Sequence, residues 1–159
     1  MKERFMVALA QISCKPGDKE QNLKKIEGAV ARAEEKGAAL LILPELSLTG
    51  YVVRDQIYEL AEEIPGPSTR IIERIARDAG IHVVFGMPEK SKKTQATLHN
   101  TAVLVGPKGF IGKYRKMYLQ LTASLRKKDI SAQATKPRSS TPTLERLVCS
   151  YATTSTSQK

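Results

Sequence analysis

Two short stretches of this 159-residue chain combine residue types that could do chemistry where strands end. In the first, LILPELSLTGY, Glu45 comes directly after a fully apolar run of strand length. Strand ends are where α/β folds build their sites, and partial desolvation there favours a carboxylate that takes up a proton near neutral pH. Glu45 is therefore a candidate general base. The alternative is a glutamate at a helix N-terminus just after Pro44, stabilised by the helix dipole.

The second stretch is GKYRK, residues 112–116, at the end of a predicted strand. Side chains alternate between the two faces of an extended strand, so Tyr114 and Lys116 would point one way. Lys113 and Arg115 would then point the other way. A lysine at a strand end can donate to a developing oxyanion, whereas the alternative is a basic, solvated strand end without a role in chemistry.

The segments around these stretches predict two amphipathic helices. The first begins at the N-cap Asp18, has Gln21 in a weak capping box, and ends at Gly37. Its apolar positions recur at helical spacing: Leu23, Ile26, Val30 and Ala33. The second helix begins at Pro67 or Ser68 and ends at Gly80. Its predicted apolar stripe consists of Ile71, Ile72 and Ile75.

Five apolar runs predict strands that alternate with these helices. They are FMVALAQI, LLIL, IHVVFGM, TLHNTAVLV and FIGKYRK, and GPKG forms a turn between the last two. A strand–helix–strand–helix–strand order that closes with a hairpin predicts an α/β layer domain with mixed strand pairing.

The formal net charge of +10 raises the question of nucleic-acid binding. Residues 1–118 hold 19 Lys and Arg against 14 Asp and Glu, which is a mixed surface with a net charge of +5. Residues 119–159 hold 7 against 2, again +5, and 14 of these 41 residues are Ser or Thr. No aromatic side chains interleave with the basic ones in this tail, so we expect no nucleic-acid partner.

The remaining composition favours a cytoplasmic protein without a membrane span. The most apolar stretch, AALLILPELSLTGYVV, is interrupted by Pro44 and Glu45, and the N-terminal apolar run is too short for a secretory signal. Cys14 and Cys149 are the two cysteines, so we expect no disulfide framework.

From about Phe5 to Leu119 the chain resembles the carbon–nitrogen hydrolase (nitrilase/amidase) superfamily. The resemblance rests on the order and spacing of VALAQI, EEKGAALLILPELSLTGY, IPGPSTRIIERIARDAGIHVVFGMPE, HNTAVLVGPKG and GKYRKMYL. It implies that residues 1–118 are the N-terminal part of a four-layer α-β-β-α sandwich. It also implies catalytic roles for Glu45 and Lys116, no metal or organic cofactor, an amide, nitrile or carbamoyl amine substrate, and a homo-oligomer.

The mechanism implied by the resemblance needs a cysteine. The glutamate takes the thiol proton, the thiolate attacks the substrate carbon, and the lysine stabilises the oxyanion before water cleaves the thioester. The family places this cysteine after a strand, in a context like GLLICYD, which residues 1–159 do not contain in frame. Cys149, in ERLVCSY, lacks the following Asp and follows an interrupted apolar run, and Cys14 is more typical of a buried structural thiol.

A change of reading frame would explain the altered character of residues 119–159. With suitable third bases, reading each triplet of residues 124–131 one base earlier yields FEEKRYF, and the same shift converts residues 144–159 into GKIGLLICYDFYFPE. This hypothesis predicts one inserted or deleted base within the codons of about Leu119 to Thr122. The chain as written would then lack its nucleophile and be inactive. The alternatives are a disordered tail on a binding or regulatory module that retains the fold, and a nucleic-acid binder.

Overall fold

The fold is known from a computed structural model that describes residues 4–51, 53, 56–92 and 97–116. Its strands are β1 (Val7–Leu9), β2 (Leu40–Ile42), β3 (His82–Lys90), β4 (Leu98–Gly106) and β5 (Gly109–Arg115). They form one sheet in the order β1-β2-β3-β4-β5. The first three strands pair in parallel and the last three antiparallel, which confirms the mixed α/β sheet. The predicted tail and Cys149 lie outside the described residues.

The first helix, α1 (Lys19–Glu35), forms as the sequence predicts. The Asp18 carboxylate accepts a hydrogen bond from the Gln21 N–H at 3.0 Å, which satisfies a donor that the first helical turn leaves unpaired. Beyond the last turn, Gly37 adopts a φ of 70°, the left-handed conformation that commonly ends a helix. Ile26 and Val30 are buried against the sheet, so propensity and packing favour the same helix.

Two further helices follow β2: α2 (Ile57–Leu60) and α3 (Pro67–Asp78). The short α2 was not predicted, because four residues are too few to show a helical period. Helix α3 begins at Pro67, and Gly80 follows its end with a φ of 66°. The predicted isoleucine stripe of α3 is wrong in part. Its buried face consists of Ser68, Thr69, Ile72 and Ala76, and Ile75 is only partly buried, because the helix is rotated toward its smaller residues.

The strand bounds differ from prediction mainly in β1 and β3. Strand β1 is only three residues long, whereas β3 continues past the predicted Met87 to Lys90. Pro88 is tolerated inside β3 because β2 pairs only with the first residues of β3, so no β2 carbonyl needs an N–H from position 88. On the side of β3 that faces β2, the Glu62 N–H donates to the Pro88 carbonyl. The extension of β3 carries Glu89 into the sheet, beside β4.

The sheet is apolar on both faces. On one face Leu41, Val83 and Phe85 pack with residues of α1 and α3 in the main core. On the other face lies a second buried cluster composed of Leu40, Val84, Ala102, Leu104 and Tyr114. A sheet with two apolar faces is typical of a layered α/β fold in which both faces are covered.

Several large apolar side chains are exposed at the β1 edge of the sheet. Phe5, Met6 and Leu9, in and beside β1, are each more than half exposed. By contrast, the second cluster, which includes Leu40 and Val84, is buried. Among the described strands, apolar exposure is therefore greatest at the β1 edge, and edge strands are also most prone to association.

Candidate active site

Glu45 lies in a tight turn that follows β2 rather than in a helix. The Ser47 N–H donates to the Pro44 carbonyl at 3.2 Å, and the N–H groups of Thr49 and Gly50 both donate to the Leu46 carbonyl. The alternative interpretation of Glu45 as a helix N-terminal glutamate is therefore wrong, since the chain from 45 to 49 forms turns. A turn at a strand end leaves the carboxylate at the rim of the sheet.

Close backbone packing against β3 holds this turn in place. A Cβ atom on Gly86 would lie 2.4 Å from the Leu46 nitrogen and 3.1 Å from the Glu45 Cα, so only glycine fits. The Leu48 N–H donates to the Gly86 carbonyl at 3.1 Å, and the Gly86 N–H donates to the Ser47 hydroxyl at 3.2 Å. Leu46 adopts a φ of 51°, the left-handed conformation that leucine rarely takes. The turn that presents Glu45 is therefore strongly constrained.

Lys116 meets Glu45 although the two residues are 71 positions apart in the chain. Its Nζ donates to the Glu45 Oε1 at 2.8 Å, and the two side chains are 15% and 22% exposed. The Asn100 Nδ2 donates to the same oxygen at 2.6 Å. Both donors contact Oε1 and neither contacts Oε2, so the carboxylate has one heavily bonded oxygen and one that these donors leave available.

The strand geometry explains how Lys116 reaches this position. Lys116 directly follows β5, and its N–H donates to the Asn100 carbonyl at 2.8 Å, continuing the ladder between β4 and β5. Two residues earlier, Tyr114 packs with Ala102 in the second cluster. The predicted alternation is therefore confirmed: Tyr114 and Lys116 share one face of the sheet.

Lys113 and Arg115 point to the opposite face, where they bind Glu89. Arg115 Nε donates to Glu89 Oε2 at 2.9 Å and its Nη2 donates to Oε1 at 2.7 Å. Lys113 Nζ also donates to Oε1, and the Thr101 hydroxyl donates to Oε2 at 2.8 Å. The interpretation of this strand end as merely solvated is wrong, because two of its cations pair with a buried carboxylate.

The surroundings of Glu89 stabilise its charged form strongly. Burial by itself would raise the pKa of this carboxyl group, but the hydrogen bonds from Arg115 and Lys113 outweigh that effect and lower the pKa to about 2. Glu89 is therefore ionised at every pH at which the protein is normally handled. Sequence reasoning missed both Glu89 and Asn100. Asn100 does have a signal, since it shares a strand face with the apolar Ala102 and Leu104.

The other polar groups of the described residues suggest no competing site. Burial raises the pKa of the Cys14 thiol, which makes it a poorer nucleophile, and this thiol donates weakly to the Ile12 carbonyl at 3.8 Å. Within the same residues, no group of three His, Cys, Asp or Glu side chains could hold a metal ion. Nor does this part of the chain contain a helix long and apolar enough to cross a membrane.

Comparison with known proteins agrees with the fold. The sequence profile of the carbon–nitrogen hydrolase family matches residues 6–146. A nitrilase from Pyrococcus abyssi is 41% identical over 119 residues, which cover 72% of this chain and 44% of the nitrilase. An omega-amidase from Xenopus laevis is 33% identical over 118 residues, covering 73% of this chain and 41% of the amidase.

Solved structures support the same relationship. A mutant of the amidase from Nesterenkonia sp. AN1 superposes with a TM-score of 0.69 at 29% identity, over 83% of this chain and 51% of the amidase. That structure shows the result of Michael addition of acrylamide at the amidase's active-site cysteine. The present chain belongs to the carbon–nitrogen hydrolase family and has the α/β fold of its amidases. It spans less than half the length of the curated relatives that it matches.

Proposed function

We propose that this protein derives from an enzyme that hydrolyses a non-peptide carbon–nitrogen bond in a small amide, nitrile or carbamoyl amine. In that reaction Glu45 is the general base and Lys116 stabilises the oxyanion. The observation that supports these roles most directly is the 2.8 Å contact between Lys116 Nζ and Glu45 Oε1. It joins the ends of two strands in a fold shared with amidases.

The hydrogen bonds at Glu45 suggest which atom takes the proton. Lys116 and Asn100 both donate to Oε1, so Oε2 is the oxygen that would accept the proton of a cysteine thiol. With an amide or carbamoyl amine, the thiolate then forms a bond to the carbonyl carbon, and the Lys116 ammonium stabilises the negative oxygen that develops as the C=O π bond opens. The carbon–nitrogen bond breaks, the proton passes to the leaving nitrogen, and water cleaves the thioester.

The chain as written would not complete this reaction, because residues 1–159 contain no cysteine in the expected context. We attribute this to a change of reading frame near Leu119. In this proposal residues 1–118 are the genuine N-terminal part of the domain, and the full protein is a cytoplasmic homo-oligomer. Cys149 and the other residues beyond 116 lie outside the described structure, so the proposal for them rests on the sequence.

Two measurements test the proposal together. The gene is resequenced from the codon of Lys116 to well past that of Lys159, and the intact mass of the protein is determined from its native cell. We expect an extra or missing base near Leu119 and a mass far above 17.5 kDa. A confirmed base sequence together with a mass of 17.5 kDa would contradict the frame change.

Hydrolysis assays then separate the active from the inactive form. We expect the 159-residue chain to leave simple aliphatic amides intact and the frame-corrected protein to release ammonia from them. Glu45→Gln and Lys116→Met should abolish that release. Turnover by the 159-residue chain that Cys149→Ala removes would overturn the proposed inactivity.

The second candidate is a binding or regulatory module that keeps the fold without catalysis. The observation in its favour is that Glu45, Lys116 and Asn100 are already held together by hydrogen bonds within the described residues. A confirmed gene sequence, a monodisperse 159-residue protein and a tail sensitive to protease would support this candidate.

A further inference from the structure

The Glu89 cluster, composed of Glu89, Thr101, Lys113 and Arg115, lies directly behind the candidate active site. Glu89 belongs to β3, Thr101 to β4, and the two cations to β5. The side chain of Glu89 is 1% exposed, and those of Arg115 and Lys113 are 16% and 23% exposed, so a buried carboxylate meets two partly buried cations. Its contacts span three adjacent strands.

The contacts of Glu89 use both of its oxygens. Oε1 accepts from Lys113 and from Arg115 Nη2, and Oε2 accepts from Arg115 Nε and from Thr101. Arg115 therefore binds in the two-pronged geometry that fixes both the distance and the orientation of its partner. Because adjacent strands lie about 4.8 Å apart, Arg115 reaches across the whole width of β4 to make this bond.

The two strands that supply Asn100 and Lys116 also supply members of the cluster. Thr101 is the chain neighbour of Asn100, and Arg115 is the chain neighbour of Lys116. Thr101 and Arg115 are paired across the β4–β5 ladder. Neighbouring residues of a strand point to opposite faces, so the cluster on one face and Asn100 and Lys116 on the other share the same two stretches of backbone.

We propose that Glu89 is a positioning residue, which holds the ends of β4 and β5 in register through Arg115, Lys113 and Thr101 and so places Lys116 and Asn100 on Glu45. This inference rests on the proposed roles of Glu45 and Lys116. Glu89 itself lies on the far face of the sheet, and its effect on the reaction passes through the backbone of the two strands.

The chain offers a matched control in a second carboxylate, Glu62. Its Oε1 accepts from Lys19 at 2.6 Å, and its Oε2 accepts from the Ser68 N–H at 2.8 Å at the start of α3. The Glu62 side chain is 11% exposed, so it too is largely buried and ion-paired. Its side chain bonds to α1 and α3, not to β5.

The experiment observes the Lys116 ammonium group directly in the full 159-residue chain. Nitrogen-15 NMR of the lysine side chains resolves an ammonium group that is held by a carboxylate, and Lys116→Arg assigns its signal. In Glu89→Gln, which keeps the shape and removes the charge, we expect the Lys116 signal to move to the position of exposed lysines. Glu89→Asp, which keeps the charge, should restore it in part.

Glu62→Gln serves as the control for general loosening of the fold. We expect it to leave the Lys116 signal in place. An unchanged Lys116 signal in folded Glu89→Gln would overturn the proposal. So would equal changes in the Glu89 and Glu62 variants, because the effect would then be one of overall stability. If Glu89→Gln does not fold, Arg115→Lys removes the two-pronged bond but keeps the charge, and the same shift is expected.

The readout is independent of turnover. A chain that hydrolyses no amide after frame correction, yet loses the Lys116 signal in Glu89→Gln, would contradict the proposed function and leave the positioning role intact. In a frame-corrected protein that is active, Glu89→Gln should lower kcat by at least tenfold with little change in KM. An unchanged kcat would contradict the proposal that Glu89 positions Lys116 for the reaction.

Discussion

The two faces of the sheet carry two carboxylates with similar partners and different environments. Glu89 binds Lys113, Arg115 and Thr101 through both of its oxygens and is almost fully buried. Glu45 binds Lys116 and Asn100 through Oε1 alone, and its side chain is 22% exposed. Both sites combine a carboxylate with at least one cationic donor, but of the two carboxylates only Glu45 has an oxygen that its donors leave uncovered.

This difference separates a structural ion cluster from a candidate reaction centre. A carboxylate whose lone pairs are all used gives its surroundings a fixed geometry and has little capacity to accept a proton. A carboxylate that is oriented through one oxygen can accept a proton on the other. The comparison thus favours Glu45 for the catalytic role even though Glu89 is the more buried and the more heavily bonded residue.

Removing the Glu89 charge should produce the largest loss of stability. Glu89→Leu leaves Lys113 and Arg115 partly buried without their counter-charge, which is expected to lower the free energy of unfolding by about 3–5 kcal/mol. Urea denaturation measures this loss. Glu63→Leu, at an exposed position, is the control and should change stability by less than about 0.5 kcal/mol. A loss below about 1 kcal/mol for Glu89→Leu would show that the cluster is not structurally important.

Lowering the pH should reduce the contribution of the Glu89 cluster to stability without any substitution. The folded pKa of Glu89, about 2, lies below the ordinary value of 4.5, so its contribution is fully present above pH 4.5. That contribution falls as the pH drops from about 4.5 towards 2, because the unfolded chain takes up the proton first. Urea denaturation at a series of pH values should show a steeper decline in this range for the wild type than for Glu89→Gln. Parallel curves would contradict the assignment.

Adding a methyl group beneath the Glu45 turn should have an intermediate effect. In Gly86→Ala the new Cβ would meet the Leu46 nitrogen at 2.4 Å, so the turn must move away from β3. We expect a loss of about 1–3 kcal/mol in stability, together with a changed Lys116 ammonium signal. Gly112→Ala is the matched control, since nothing lies within 4 Å of a Cβ at that position. Equal losses of stability in the two variants would contradict close packing of the Glu45 turn against β3.

Neutralising Glu45 should have the smallest effect on stability. Glu45→Gln removes a charge from a partly exposed pair, which is expected to change the free energy of unfolding by no more than about 1 kcal/mol. The Lys116 ammonium signal should nevertheless shift, because its partner is no longer charged. A loss comparable to that of Glu89→Leu would mean that the pair at Glu45 serves the fold rather than the reaction.

Much of the fold could be predicted from local patterns. The N-cap Asp18, the helix-ending Gly37 and Gly80, and the turn between β4 and β5 each follow from the conformational preferences of a few neighbouring residues. The sequence did not reveal that β1 is short or that β3 extends to Lys90. Those bounds depend on which strands lie alongside, and Glu62 supplies the partner at the end of β3.

The residues of the candidate site also fall into those that the sequence predicted and those that it did not. Glu45 and Lys116 could be singled out because an ionisable residue at the end of a strand is visible in one dimension, and the resemblance to a known family linked them. Asn100 and Glu89 could not be assigned in that way. A polar residue in or next to a predicted strand acquires a role only through partners that are distant in the sequence, on another strand or in a turn.

Local sequence specified the order of the main helices and strands, the caps and turns that bound them, and the alternation that sends Tyr114 and Lys116 to one face. These features depend on interactions over a few residues. Folding of the whole domain was needed to bring Lys116 to Glu45 across 71 residues and to make Lys113 and Arg115 converge on Glu89. Such contacts depend on strand order and register, which the packing of the whole sheet selects.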